Sequence, residues 1–277
     1  MNDTCASSFR FLKGLAADLA RGHITFPTFN QATMKVRAAL DRPDINAEQV
    51  GKVIATEPLL AARLVQMANS AAMNPGGRTV GDVRSAVLRV GMSSVRSVAV
   101  SVALEQLREV GRSPGLRPFA EATWRHSVQV AAVSYVLARR LSRINPDEAL
   151  FAGLVHDIGH FYLLSHVGQY PELAQDPDEV ADVLANWHAS IGQAVLHDFR
   201  LPDAVIEAVG EHETGHYRLP LRTLSHVVTL ANLASSSTNP VAAVRISPPA
   251  QITDPDVLSV LADGGEEIDA LAKALRG

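Results

Sequence analysis

Apolar residues recur at three- and four-residue spacing along almost the whole chain, and this spacing restricts the fold more than any other feature of the sequence. It places apolar side chains on one face of a helix. Runs of alternating or β-branched residues long enough for strands are nearly absent. The sequence therefore predicts an all-α protein. Its predicted helices are Phe9–Ala20, Phe29–Leu40, Ala47–Thr56, Leu59–Ala72, Val83–Val90, Val95–Val110, Phe119–Leu141, Pro146–Val155, Val180–His188, Ile191–Asp198, Asp203–His212 and Leu219–Ala234, with a helix or turn over Ile158–His166.

Single residues mark several helix boundaries. Asn46 is suited to an N-cap and Pro58 to a first helical position, because an Asn side chain accepts from free amides and proline has no N–H to satisfy. Gly91 separates the two predicted helices on either side of it. The cluster Asn74–Gly77 is typical of a turn. These signals agree with the helical periodicity.

The segment Gly111–Gly115 divides the helices into two groups, because its glycines and proline cannot continue a helix. We therefore expect a two-lobed helical bundle with an N-terminal lobe over residues 1–115 and a second lobe over residues 116–240. Residues 241–277 are expected to form a looser C-terminal tail that ends in a helix over Ile268–Leu275.

The composition of the 277-residue chain excludes several classes of protein. Its formal net charge of −4 gives no general positive field to hold nucleic-acid phosphates, so nucleic-acid binding is not expected. Cys5 is the single cysteine, which excludes an intramolecular disulfide and a cysteine-based zinc cluster and favours a cytoplasmic location. The most apolar stretch, Val95–Leu104, falls far short of the ~20 residues that a membrane helix requires. No membrane partner is expected.

A His-Asp pair, His156-Asp157, ends an apolar predicted helix just before Gly159. Imidazole nitrogen and carboxylate oxygen together suit zinc, iron, manganese or nickel, and a carboxylate can bridge two ions. A buried capping pair is an equally good interpretation of these two residues alone.

Three further histidines, His126, His188 and His212, lie on separate predicted helices. Metal sites in helical bundles are assembled in this way, from ligands that are distant in sequence and face one another between helices. Taken singly, each of these histidines fits a hydrogen-bonded core residue better than a ligand. Together they favour a site for one or two divalent ions.

The order of His126, His156-Asp157 and the later histidines resembles the HD superfamily of metal-dependent phosphohydrolases. The segment Glu57–Ala71, with Pro58-Leu59-Leu60 and Met67-Ala68-Asn69-Ser70, is similar to the opening of the HD-related output domain (HDOD) family of bacterial signalling proteins. The motifs around Trp124–Ser127 and Ala152–Gly159 resemble the second lobe of the same family. The resemblance covers residues 27–235 and implies an HD-like second lobe.

The chain departs from the pattern of active HD enzymes at two places. Asn232 aligns with the late Asp that closes their metal site, and an amide is a weaker, neutral ligand. Where the HD-GYP phosphodiesterases carry a His-His-Glu run and a glycine motif, this chain has Glu211-His212-Glu213 and lacks most of the motif. Hydrolysis of cyclic-di-GMP is therefore not supported.

The resemblance implies a ligand set and one further role. The implied metal ligands are His126, His156, Asp157, His188, His212 and, as a weaker ligand, Asn232. In a working hydrolase, His160 could donate a proton to a leaving group. The alternative for His160, which we favour, is an exposed residue after a helix end.

We expect a bacterial signal-transduction module with a degenerate HD metal site, acting through a protein partner or a small ligand. The alternative is an active metal-dependent phosphohydrolase that acts on a nucleotide or another phosphoester. Because Asn232 replaces the closing Asp, we favour the module without enzymatic activity.

Overall fold

The computed structural model describes residues 3–20, 38–39, 42, 44–55, 58–108, 115–198, 201–214, 216–235 and 251–276. These residues form helices and connecting turns without β-strands, apart from an isolated bridge between Ser142 and Leu221. The predicted all-α class is confirmed. The helices are α1 (Asp3–Ala20), α2 (Ala47–Ala55), α3 (Pro58–Ala68), α4 (Val83–Arg108), α5 (Arg117–Leu141), α6 (Pro146–Val155), α7 (Ile158–Val167), α8 (Pro171–Ala174), α9 (Pro177–Asp198), α10 (Asp203–Glu211), α11 (Leu224–Ala234), α12 (Pro255–Asp263) and α13 (Gly265–Arg276).

Side-chain caps begin several of these helices. Asn46 accepts from the amide of Gln49 at 2.9 Å while the Gln49 side chain accepts from the amide of Asn46 at 3.1 Å, so a reciprocal capping box precedes α2. Asn145 caps α6 in front of Pro146, and Thr223 caps α11. The predicted N-cap at Asn46 is confirmed.

The first helices surround one end of the core. Helices α2 and α3 pack against α4, which turns at Gly91, where φ is 78°. The predicted separation at Gly91 is thus confirmed, because glycine adopts this left-handed conformation without steric cost. Asn69 makes two hydrogen bonds with the backbone of Val80, at 2.8 and 2.9 Å, and so closes the loop between α3 and α4.

The remaining helices pack around α5, whose side chains are buried along most of its length. Helices α6, α11, α12 and α13 all contact α5, while α7 packs against α9, α9 against α10, and α10 against α11. This arrangement turns the α6–α7 junction toward α9, α10 and α11. It therefore determines which side chains meet in the interior.

Both ends of the described chain pack across the molecule. Helix α1 contacts α8 and α9, and the ring of Phe11 meets the ring of Tyr170 edge-on, with centroids 5.2 Å apart. Helix α13 contacts α3 as well as α5, and the buried Arg63 donates to the carbonyl of Leu275 at 2.6 Å. The division into lobes at residues 115 and 240 stays a prediction.

Several helix predictions differ from the structure. Helix α9 is continuous, whereas two helices were predicted over its length. Helix α11 begins at Leu224, five residues after the predicted start, because Thr223 supplies its cap. Helix α12 lies within the predicted loose tail, where Asp254 caps it and Pro255 occupies its first turn. The predicted final helix is confirmed by α13.

Some predictions fall on residues that the structure does not describe. They include the helix over Phe29–Leu40, apart from Ala38 and Ala39, residues 111–114 of the predicted linker and residues 241–250 of the predicted tail. Among the helices that are described, none combines the length and the apolar content that a membrane crossing needs.

Candidate metal centre

Helix packing gathers the predicted ligands into one buried cluster. His126 lies on α5, His188 on α9 and Asn232 on α11, while His156 and Asp157 occupy the α6–α7 junction and His212 directly follows α10. Their exposed fractions are between 0 and 3%. The structure thus brings together all six residues implied as ligands.

The α6–α7 junction gives the His-Asp pair its orientation. Helix α6 ends at Val155, and the backbone of Asp157 leaves helical geometry, with φ −101° and ψ 19°. Two adjacent side chains therefore converge. Gly159 does not end this helix, as the sequence suggested, but lies in the first turn of α7.

Gly159 allows α7 and α9 to approach each other closely. A Cβ added at Gly159 would lie 1.9 Å from the carbonyl oxygen of His188 and 2.8 Å from the amide of Gly192. Both are backbone atoms that a side chain could displace only by moving a helix. The glycine is therefore required for the distance between Asp157 and His188.

The carboxylate of Asp157 lies between two groups of imidazoles. Its Oδ2 is 3.3 Å from Nε2 of His156 and 3.9 Å from Nε2 of His126. Its Oδ1 is 3.4 Å from Nε2 of His212 and 3.7 Å from Nε2 of His188. Each group with Asp157 brings three potential ligand atoms close enough together to hold one ion, and Asp157 is the residue that the two groups share.

Backbone carbonyls determine which ring nitrogen of three histidines faces the cluster. The Nδ1 atoms of His156, His188 and His212 donate to the carbonyls of residues 153, 184 and 209 at 2.7, 2.7 and 2.6 Å. In a neutral imidazole this leaves the lone pair on Nε2. The same arrangement orients histidine ligands in metal sites.

The polar atoms of the cluster fit a bound cation. The Nε2 atoms of His188 and His212 lie 3.1 Å apart, although both carry lone pairs in the tautomer that their carbonyl partners impose. Nε2 of His156 and both oxygens of Asp157 are buried and have no hydrogen bond of normal geometry among the described residues. Buried polar atoms without partners are costly, and a divalent ion would satisfy them together.

The site environment changes the protonation of its residues. Burial lowers the pKa of His126 from 6.5 to about 3 and lowers the pKa values of His156 and His188. Burial by itself raises the pKa of Asp157, but the attraction of His156 and His160 for its carboxylate outweighs this and holds the pKa well below 3.8. Neutral imidazoles and an ionised carboxylate are the forms that bind metals.

His160 is buried rather than exposed, contrary to the interpretation favoured from the sequence. It lies in α7, its Nδ1 is 3.3 Å from Oδ1 of Asp157, and its ring stacks on His188 with centroids 4.1 Å apart. The sequence suggested exposure because Gly159 was expected to end the helix. The proton-donor role of His160 stays a prediction.

Glu213 is a residue of the cluster that the sequence did not indicate as a ligand. Its Oε1 lies 3.5 Å from Nε2 of His212 and 3.8 Å from Nε2 of His188, and it accepts from the amide of Asn232 at 3.2 Å. In the sequence, its position directly after His212 was the feature that could have indicated a place in the cluster.

Comparison with known proteins gives one family and several similar folds. Residues 26–214 match the family model of the HDOD domain. A solved structure from Shewanella amazonensis SB2B, named "Putative metal-dependent phosphohydrolase", has a TM-score of 0.76 at 24% identity and covers 98% of this chain and 99% of its own. A structure from Marinobacter aquaeolei VT8, named "Putative signal transduction protein", has a TM-score of 0.61 at 17% identity, covering 98% of this chain and 66% of its own.

A curated relative in Treponema pallidum (strain Nichols), named "Uncharacterized protein", is 24% identical over 237 residues. The match covers 79% of this chain and 44% of that protein, so the chain spans less than half of the relative's length. At these identities the solved structures show the fold alone.

Proposed function

The chain belongs to the HDOD family, and from this premise we propose that it is a regulatory module of bacterial signal transduction, acting in the cytoplasm through a protein partner or a small ligand. Its His-Asp cluster would hold one or two divalent ions, of iron, manganese, zinc or nickel, as part of the folded scaffold. The ligands are His126, His156, Asp157, His188 and His212, with Asn232 as a weaker ligand.

The observation that carries this proposal is the burial of the cluster. The six residues are at most 3% exposed. Catalytic metal sites keep a coordination position open to water and substrate, whereas structural sites are closed by protein ligands. The replacement of a closing Asp by Asn232 also favours a structural rather than a catalytic site, because a neutral amide does not supply the negative charge of an active HD centre.

The name of one similar structure also supports a signalling role. The Marinobacter protein of the same fold is named for signal transduction. We extend that role to this chain because the family match, over residues 26–214, includes α2–α4 and every cluster residue except Asn232. The partner would contact a surface outside the buried cluster.

The first test measures the metal content of protein purified without added metal. Wild-type protein is expected to contain one or two equivalents of a transition metal by elemental analysis. His156→Ala is expected to lose them, while His197→Ala, which changes an exposed histidine of α9, is expected to keep them. Equal metal content in the two variants would contradict the assigned centre.

The second test separates regulation from catalysis. Wild-type protein is loaded in turn with manganese, iron, zinc and nickel and offered bis-p-nitrophenyl phosphate and a panel of nucleotides. We expect no turnover. Turnover that disappears in both His156→Ala and Asp157→Ala, with both variants folded, would overturn the regulatory role in favour of hydrolysis.

An active metal-dependent phosphohydrolase is the second candidate function. It is favoured by the retention of four imidazoles and a bridging carboxylate, the chemistry that such enzymes use. Divalent ions in this place would polarise a phosphoryl oxygen and lower the pKa of bound water. His160, which contacts Asp157, is the residue that would then hold a proton for the leaving group.

A further inference from the structure

Glu213 faces the same two nitrogen atoms as Asp157, from a second position. Its Oε1 is 3.5 and 3.8 Å from Nε2 of His212 and His188, and Oδ1 of Asp157 is 3.4 and 3.7 Å from the same atoms. The two Nε2 atoms thus lie within 4 Å of two carboxylates. The side chain of Glu213 is 21% exposed, more than any of the six residues already assigned.

Asn232 orients Glu213 through its amide group. Nδ2 of Asn232 donates to Oε1 of Glu213 and to the carbonyl of His212, both at 3.2 Å. Its Oδ1 faces Nε2 of His126 at 2.9 Å. A carboxylate at position 232 would meet two acceptors where the amide now donates, so Asn232 and Glu213 form a matched pair.

The charge of the cluster gives a reason for a second carboxylate at Glu213. Without Glu213, the carboxylate of Asp157 is the single negative group among the assigned ligands. The amide of Asn232 adds none, so one or two divalent ions would leave the interior strongly positive, and buried net charge is costly. Glu213 supplies a second carboxylate beside the His188 and His212 nitrogens.

We propose that Glu213 is a metal ligand, completing with Asp157, His188 and His212 a two-histidine, two-carboxylate site, and that it provides the charge which Asn232 lacks. This proposal rests on the proposed metal centre. Two imidazoles with two carboxylates form a donor set that suits zinc, iron or manganese.

The test compares Glu213→Gln with Glu211→Gln. Both substitutions remove one carboxylate at the same end of α10, but Glu211 accepts from the hydroxyl of Ser225 and not from the cluster. Metal-free protein is titrated with Zn²⁺ and Mn²⁺ by calorimetry. We expect Glu213→Gln to bind at least about 10-fold more weakly than wild type and Glu211→Gln to bind like wild type.

A second variant moves the carboxylate to α11. In Glu213→Gln/Asn232→Asp the number of charges is unchanged, and the amide introduced at position 213 can donate to the carboxylate introduced at position 232. We expect this double variant to regain part of the affinity that Glu213→Gln loses. Circular dichroism shows whether each variant folds. If Glu213→Gln does not fold, the metal affinity of the folded double variant tests the proposal instead. Metal binding by the double variant supports the proposal, and absence of metal binding overturns it.

Two outcomes separate this inference from the proposed function. If wild-type protein binds metal and Glu213→Gln binds it as tightly as Glu211→Gln does, the role of Glu213 is overturned while the metal centre stands. If wild-type protein binds neither Zn²⁺ nor Mn²⁺, both are overturned.

Discussion

Asp157 determines the chemistry of the cluster at the scale of single residues. An ionised carboxylate that is 1% exposed requires a compensating positive charge, and the pKa values of three neighbouring histidines are lowered by burial. Neutral imidazoles orient toward Asp157 but do not neutralise it. A divalent ion would satisfy both the carboxylate and the lone pairs that surround it.

The lowered pKa values of His126, His156 and His188 predict that acid destabilises the metal-free protein. Their pKa is near 6.5 in the unfolded chain and lower in the folded one, so the unfolded state binds more protons below pH 6.5. Stability is fully present above that pH and is lost as the pH falls. For each of these histidines we expect a loss of about 1.4 kcal/mol in total between pH 7.5 and 5.5, with a slope that approaches about 1.4 kcal/mol per pH unit at lower pH.

Urea unfolding in the presence of a chelator, between pH 7.5 and 5.5, measures this dependence. His126→Asn is expected to reduce the slope of stability against pH, because one of the buried imidazoles is removed. His197→Asn, at an exposed position, serves as the control. Identical slopes for the wild type and both variants would contradict the assignment.

Most residues of the cluster were predictable from the sequence, but their surroundings were not. Residue type and helix position indicated His126, His156-Asp157, His188 and His212 as candidates, and the resemblance to the HD superfamily implied that they form one set. The burial of His160 and the contacts of Glu213 depend on how α7, α9 and α10 pack, to which single residues give no signal.

At the scale of helices, α7 and α9 determine whether the ligands can meet. Their contact depends on Gly159, where any side chain would collide with the backbone of α9. Sequence reasoning recognised this glycine but assigned it to a helix end. It also divided α9 between His188 and Ile191, although the helix continues through this segment.

Gly159→Ala is expected to separate α7 from α9 and to destabilise the protein by about 3 kcal/mol, the upper range for overpacking a well-packed contact. It should also weaken metal binding, because Asp157 and His188 move apart. Gly168→Ala is the matched control, since Gly168 ends the same helix with φ −60° and has no atom within 4 Å of an added Cβ.

Urea unfolding and elemental analysis of both variants test this expectation. Equal stability of the two alanine variants would show that the approach of α7 to α9 is not required. The periodicity of the sequence predicted a helix or turn for the α7 segment and two helices for the α9 segment, but it contained no information on the distance between them.

At the scale of the whole molecule, the last helix connects the two groups of helices. Helix α13 contacts α3 and α5, Arg63 donates to the carbonyl of Leu275, and Glu267 forms an ion pair with Arg140 at 3.3 Å. The sequence predicted this helix from its apolar spacing. Its contacts with α3 and α5 join residues more than 100 positions apart and could not be inferred from local pattern.

Leu271→Ala is expected to destabilise the protein by about 2–5 kcal/mol, because the side chain is fully buried in α13 and its removal leaves a cavity. Lys273→Ala, on the exposed face of the same helix, is expected to change stability by less than about 0.5 kcal/mol. Thermal unfolding of both variants measures the difference. Similar melting temperatures would exclude a structural role for α13.

Because the cluster residues are far apart in the sequence, the ribosome synthesises them at different times. His126 and Asn232, which contact each other directly, are 106 residues apart. A ribosome adding about 5–20 residues per second needs about 5–20 s to make that span, whereas a helix forms in about a microsecond. The His-Asp pair is therefore synthesised well before α9, α10 and α11 can cover it. During each round of synthesis, the faces of α6 and α7 that α9, α10 and α11 later cover remain exposed to solvent. In that interval the new chain is open to aggregation and to chaperone binding.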